Sequence, residues 1–105
     1  MLNQAILVGR IANIISNDID SGKIILELAI SRSYKNKDGM YDTDFIDVTL
    51  NNSLAETTNN YCKKGDIVGV KGRIETIINE ENMKKTCIVA EKVTFLSSNN
   101  IEKED

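Results

Sequence analysis

The chain has 105 residues, the size of one domain with room for a single compact core. Its 13 Lys and Arg stand against 16 Asp and Glu for a net charge of -3, which excludes the strongly basic footprint of many nucleic-acid binders and leaves any such role to local charge. The two cysteines, Cys62 and Cys87, are far apart and unaccompanied by histidine, so no zinc site, metal or cofactor is expected, and they read as small hydrophobes.

The opening Met1-Leu2-Asn3-Gln4 lacks the basic segment of a secretory signal, and no run approaches the ~20 apolar residues needed to span a bilayer, so a cytoplasmic protein without membrane contact is expected. From Ala5 to Ile15 the residues are apolar and β-branched around Gly9, which predicts a strand bent or bulged at that glycine. Asp20-Ser21-Gly22 is a turn signal. Beyond it Ile24, Leu26, Leu28 and Ile30 alternate with Ile25, Glu27, Ala29 and Ser31, a second strand forming a hairpin with the first.

Arg32 to Thr43 is a polar connection carrying Asp38-Gly39, a tight-turn dipeptide, and leads into Asp44-Phe45-Ile46-Asp47-Val48-Thr49-Leu50. As a strand these residues put Ile46, Val48 and Leu50 on one face and Phe45, Asp47 and Thr49 on the other. A large aromatic then points away from the core, either as a covered or chance surface residue or as a platform for something flat such as a nucleobase.

Leu54, Thr58 and Tyr61 fall at helical spacing, which predicts a short helix over Asn52 to Tyr61, capped by Asn52 or Ser53 and closed by Lys63-Lys64-Gly65-Asp66. Ile67 to Ile77 returns to alternation, Glu80-Glu81-Asn82 is a loop tip, and Lys85 to Leu96 supplies a fifth strand. The order predicts an all-β fold, a five-stranded Greek-key barrel (OB-fold) with one short helix between strands three and four. It occupies 1–97, with a short polar tail over 98–105. Glycines inside the strands supply the bends that closing so small a sheet requires. Asp42, Asp44 and Asp47 have no histidine or nucleophile beside them, and no enzymatic site is expected.

The residues themselves resemble the bacterial single-stranded DNA-binding protein family. The similar stretches are Asn3-Gln4-Ala5-Ile6-Leu7-Val8-Gly9-Arg10, Leu28-Ala29-Ile30-Ser31-Arg32-Ser33-Tyr34, Thr43-Asp44-Phe45-Ile46-Asp47-Val48, Leu54-Ala55-Glu56, and Tyr61-Cys62-Lys63-Lys64-Gly65-Asp66 through Gly72-Arg73. The resemblance implies a non-catalytic protein that coats exposed single strands in replication, repair and recombination. It also implies assembly with itself, as a homotetramer or in some members a dimer. Tyr34 and Phe45 match two of the family's base-stacking aromatics, whereas Asn51 and Asn79 stand where two further aromatics are common. A smaller footprint or weaker binding is the expectation, since each base–aromatic stack is worth ~1–3 kcal/mol. The family's recruitment of replication proteins uses an acidic tail ending in an aromatic, which Ile101-Glu102-Lys103-Glu104-Asp105 does not reproduce.

Cations on or beside outward positions complete the candidate interface with single-stranded DNA: Arg10, Arg32, Lys35, Lys37, Lys71 and Arg73. The plainer explanations are a solvated surface for many of the basic residues, the helix C-terminus for Lys63 and Lys64, and packing for Tyr61 and Phe95. A competing function is a dimeric module of the primosomal type, which shares the barrel and acts mainly through protein partners.

Overall fold

The computed structural model describes residues 1–18 and 22–98, with residues 16–18 as backbone only. Asp20 and Ser21 of the predicted turn, and all of the predicted tail beyond Ser98, lie outside the described residues. The elements are β1 (Ala5–Asp18), β2 (Lys23–Lys35), β3 (Tyr41–Asn51), α1 (Asn52–Tyr61), β4 (Ile67–Ile78) and β5 (Lys84–Ser97). They close into a barrel in the order β1-β2-β3-β5-β4, the predicted five-stranded architecture with its helix between the third and fourth strands.

Alternation builds the interior. Ile24, Leu26 and Leu28 of β2, Val48 and Leu50 of β3, and Val68 and Val70 of β4 are buried, joined by Ile11 of β1 and Ala90 of β5. The helix adds Ala55 and Thr58 to the buried set and lays Leu54 against the core. Asn51 occupies the N-cap position without a side-chain cap, so neither Asn52 nor Ser53 takes the predicted capping role. Tyr61 is 79% exposed and Phe95 is 51% exposed, which overturns their reading as packing residues. The buried part of the helix is Ala55 and Thr58, and Tyr61, its last residue, stands beyond it in solvent.

β1 serves two partners. Ala5 to Arg10 pair with β4, and Arg10 to Asp18 pair with β2. The register is unbroken through Gly9 and shifts instead between Ile11 and Asn13, so the bulge predicted at Gly9 sits further along the strand. Gly9 answers a different demand: a Cβ there would stand 2.9 Å from the Ala29 carbonyl oxygen and 2.7 Å from Ile30 Cγ1. Asn3 extends the β1–β4 ladder, donating from Nδ2 to the Ile74 carbonyl at 2.7 Å while its Oδ1 accepts the Ile74 N–H at 2.9 Å.

Both long hairpins turn on the same chemistry. Asn36 N–H donates to Met40 O and Gly39 N–H to Asn36 O, and the Asn36 Oδ1 accepts the N–H groups of Asp38 and Met40. In the β4–β5 turn Asn79, Glu81, Asn82 and Met83 repeat this set bond for bond. The left-handed residue is Gly39 at φ 80° in one and Asn82 at φ 64° in the other, each closing a three-residue loop that holds the predicted Asp38-Gly39 turn and the predicted Glu80-Glu81-Asn82 tip. Because β3 and β5 run parallel, the two turns lie at the same end of the barrel.

The register of β4 against β5 shifts between Lys71 and Gly72, where the strands come so close that a Cβ on Gly72 would run into the Val89 carbonyl. A Cβ on Gly69, three residues earlier, meets nothing nearer than Leu96 Cδ1 at 3.7 Å. Chemical denaturation is therefore expected to show Gly72→Ala destabilised by about 1–3 kcal/mol, while Gly69→Ala stays within about 0.5 kcal/mol of the parent. Equal effects at the two positions would refute the close approach at Gly72.

Candidate nucleic-acid interface

The outward face of β3 is the counterpart of the alternation that fills the core, and Phe45 stands on it 61% exposed. Pairing between β3 and β5 is confined to Val48 with Ile88 and Thr49 with Val89. An open groove of about 610 Å³ runs along the outer face of β3 beside β5 and the β4–β5 arm, past the seam on the hairpin side and over it toward Lys23 and Asn51. Phe45, Asp47, Thr49 and Asn51 line one wall, and Ile77, Lys85 and Cys87 belong to the other. The β3 wall from Phe45 to Asn51 extends about 20 Å at the rise of an extended strand.

The predicted residues divide between the groove and other surfaces. Phe45 lies in the groove, and its row continues across the sheet to Ala29 of β2 and then Arg10 of β1, all on one face. Two strand spacings separate Arg10 from Phe45, about 10 Å. Arg10 is engaged, however, with Nη1 donating to the Gly65 carbonyl at 2.8 Å in the turn after the helix. Tyr34 is exposed and lies within β2, not in the polar connection where its sequence placed it. Lys35 pairs in register with Tyr41, whose ring centroid lies 5.9 Å from Lys35 Nζ. Strand alternation sets Tyr34 on the opposite side of the arm from Lys35 and Tyr41, on the side of Arg32.

Arg32 and Arg73 are both held by carboxylates. Arg32 donates from Nε to Asp44 Oδ2 at 3.0 Å and from Nη2 to Asp44 Oδ1 at 2.9 Å, with Asp42 at 3.8 Å. Arg73 donates from Nε to Glu75 Oε2 at 2.6 Å and from Nη1 to Glu91 Oε2 at 3.3 Å. Lys37 is exposed in the β2–β3 turn. Lys71 is exposed on a different wall, in a row with Ile6 of β1 and Lys92 of β5.

Sequence reading missed Lys23 and Ile25 of β2 and Ile77 of β4 as groove residues, and it noted Lys85 without placing it in the site. The available signal was an apolar residue on an otherwise polar outer face, which Ile25 shares with Phe45. Asn51 is in the groove, whereas Asn79 is occupied in the turn. Both cysteines are free and half-buried. Burial, followed by the nearby Asp66 carboxylate, pushes the Cys62 thiol up. Among the described residues no cluster of three or more His, Cys, Asp or Glu is placed to hold a metal ion, and no helix is long and apolar enough to cross a membrane.

The hydrogen bonds from Arg32 hold the Asp44 carboxyl below the usual carboxylate value, and its Coulombic attraction acts the same way. A carboxylate depressed in the folded state contributes stability above its unfolded pKa and loses it as pH falls through the folded value. A carboxyl NMR titration is expected to find Asp44 ionising below the ordinary aspartate value, and Arg32→Gln to raise it back toward that value. An Asp44 that titrates at the ordinary value in the parent protein would mean the pair does not persist in solution.

A profile of the single-strand binding protein family matches residues 2–96. Single-stranded DNA-binding protein B of Bacillus subtilis (strain 168) is 37% identical over 110 residues, covering 98% of this chain and 97% of that protein. Single-stranded DNA-binding protein 1 of Streptococcus pyogenes serotype M18 is 31% identical over 108 residues, covering 100% of this chain and 82% of that protein. Among solved structures, a small single-stranded DNA binding protein from Mycoplasma pneumoniae superposes with a TM-score of 0.71 at 21% identity, covering 89% of this chain and 92% of that one. The wild-type single-stranded DNA binding protein from Thermus aquaticus gives a TM-score of 0.74 at 24% identity, covering 94% of this chain and 52% of that one. These structural likenesses speak to the barrel alone, whereas the family profile and the Bacillus subtilis and Streptococcus pyogenes relatives establish that the chain belongs to the single-strand binding protein family.

Proposed function

We propose that the chain binds single-stranded DNA along the groove between β3 and the β4–β5 arm, and that it protects exposed strands during replication, repair or recombination in the cytoplasm. Like the rest of its family it is a binding protein and not an enzyme. The observation that carries the reading is the Phe45 ring, exposed on the outer face of β3 at a groove long enough for several nucleotides. A π-face accepts any base, and cations beside it follow the phosphates.

In this arrangement Phe45 stacks a base, Lys23 and Lys85 flank the groove for phosphates, and Arg10 stands in the Phe45 row. Tyr34, Lys35 and Lys37 extend the surface onto the β2–β3 arm, so a strand following both rings passes around the edge of that arm. Arg32 and Arg73 meet phosphate with guanidinium groups that neighbouring carboxylates already hold in part. Lys71 serves a strand that wraps onto the β1–β4–β5 wall.

That wall also carries an apolar surface fit for a second copy of the chain. Ile6, Val8 and Leu96 are exposed, and Val8 and Leu96 flank the saddle at Gly69. Assembly into a homotetramer, or a dimer, buries this surface and multiplies the binding grooves.

Fluorescence anisotropy with oligo-dT at several salt concentrations is expected to show binding whose log affinity falls with log salt by about 0.7 per phosphate neutralised. Phe45→Ala is expected to weaken that binding by ~1–3 kcal/mol with the fold unchanged. A parent protein that binds no oligonucleotide at low salt ends the proposal. Light scattering is expected to give a tetramer or dimer mass. A stable dimer without DNA affinity would instead favour the primosomal-type interaction module.

A further inference from the structure

Four charged side chains line the groove, and they are not equivalent. Lys23 and Lys85 are exposed cations on β2 and β5. The Glu75 carboxylate is taken by the Arg73 guanidinium at 2.6 Å. Asp47 is exposed, lines the groove, and has no side-chain hydrogen bond or ion pair among the described residues. It sits two residues beyond Phe45 on the same face of β3, about 7 Å along the strand. Its register partner on β2 is Glu27, which places a second carboxylate at its side.

A groove wall with this charge sorts the parts of a nucleotide. Phosphates are repelled from Asp47 and drawn to Lys23 and Lys85, so the sugar-phosphate chain runs along the rim and bases point inward. A base resting on Phe45 then presents its polar edge to a carboxylate that only accepts hydrogen bonds. The exocyclic amino group of cytosine donates to such an acceptor, whereas uracil and thymine offer a carbonyl oxygen at the same ring position.

We propose that Asp47 is a specificity residue, biasing an otherwise sequence-tolerant groove toward cytosine over uracil and thymine by accepting a hydrogen bond from the base amino group beside Phe45. This rests on the reading of the groove as a single-strand site and adds a chemical preference to it. Glu27 strengthens the bias, because a second negative charge across the sheet raises the cost of placing a carbonyl oxygen there.

The test compares oligo-dC with oligo-dU of about 16 nucleotides, the upper site size for one barrel of this kind. The two bases differ at the ring position in question without the thymine methyl. Affinities are measured for the parent protein, for Asp47→Ala, and for Asp38→Ala, which removes the same charge from the β2–β3 turn. The dC-to-dU affinity ratio is expected to fall by about threefold or more in Asp47→Ala, the loss of one charge-assisted hydrogen bond in an open groove. It should stay unchanged in Asp38→Ala. Asp47→Asn, nearly isosteric, should lower the ratio by gaining affinity for dU, and it supplies the test if the alanine variant fails to fold. A ratio that does not move in a folded Asp47 variant that still binds both oligomers overturns this inference and leaves the proposed function standing. A parent protein that binds neither oligomer removes both.

Discussion

The barrel is closed by a parallel seam between β3 and β5 that holds Val48 to Ile88 and Thr49 to Val89 and no further. β3 reaches the seam from its long antiparallel pairing with β2, and β5 from its long pairing with β4. Each arm carries its own twist, and a closure this short cannot force the two into one surface. Past the seam they diverge toward their turns, and the groove is the space they leave. The Gly72 approach to Val89 belongs to the same region, since the β4–β5 register shifts there and Val89, drawn close to β4, is also the residue that pairs with Thr49 of β3.

Alternation made most of this legible in the amino acids. Ile24-Leu26-Leu28 and Val48-Leu50 declare one buried face each, and that same period places Phe45 outside. The helix was readable from the change of period over Asn52 to Tyr61, whose bounds match the structure. Three-dimensional closeness was not readable. Nothing local to Ile25 or Ile77 says that they line one groove, because that depends on how β3 and the β4–β5 arm are brought together at the seam. The bulge at Ile11–Asn13 was hidden for a similar reason: its cause is the passage of β1 from one partner strand to the next, not a glycine in the sequence. Tyr34 read as a loop residue because the β2–β3 arm runs beyond the core, where alternation no longer has a buried side to mark it.

Electrostatics sets the character of the surface as much as shape does. A chain of net charge -3 attracts polyanions only where its cations are local and unspent. Arg32 and Arg73 are already paired with Asp44, Glu75 and Glu91, whereas Arg10 gives one N–H to a backbone carbonyl and keeps its charge unpaired among the described residues. A phosphate reaching Arg32 or Arg73 competes with carboxylates already paired to the guanidinium, so the net gain is smaller than at an unpaired cation. The lysines lining the groove carry no such encumbrance among the described residues, and long flexible side chains there can follow a strand without fixing its sequence.

Asn79, where the family resemblance would place an aromatic, shows how a residue can trade a binding surface for a geometry, whereas Asn51, the other such position, lines the groove without a capping bond. The Asn79 side chain accepts two backbone N–H groups and so builds the β4–β5 turn, as Asn36 builds the turn of the other arm. An aromatic ring has no acceptor to do this. The arm that walls the groove is thus shaped by a residue that does not stack, and its inner side is lined by Ile77 and Ile88. Isoleucine offers apolar contact without a π-face, so Phe45 is the one aromatic ring among the residues that line the groove. Under the proposed binding mode that division makes Phe45 the ring on which a base stacks and sets Asp47, next to it on the same face of β3, against the base edge.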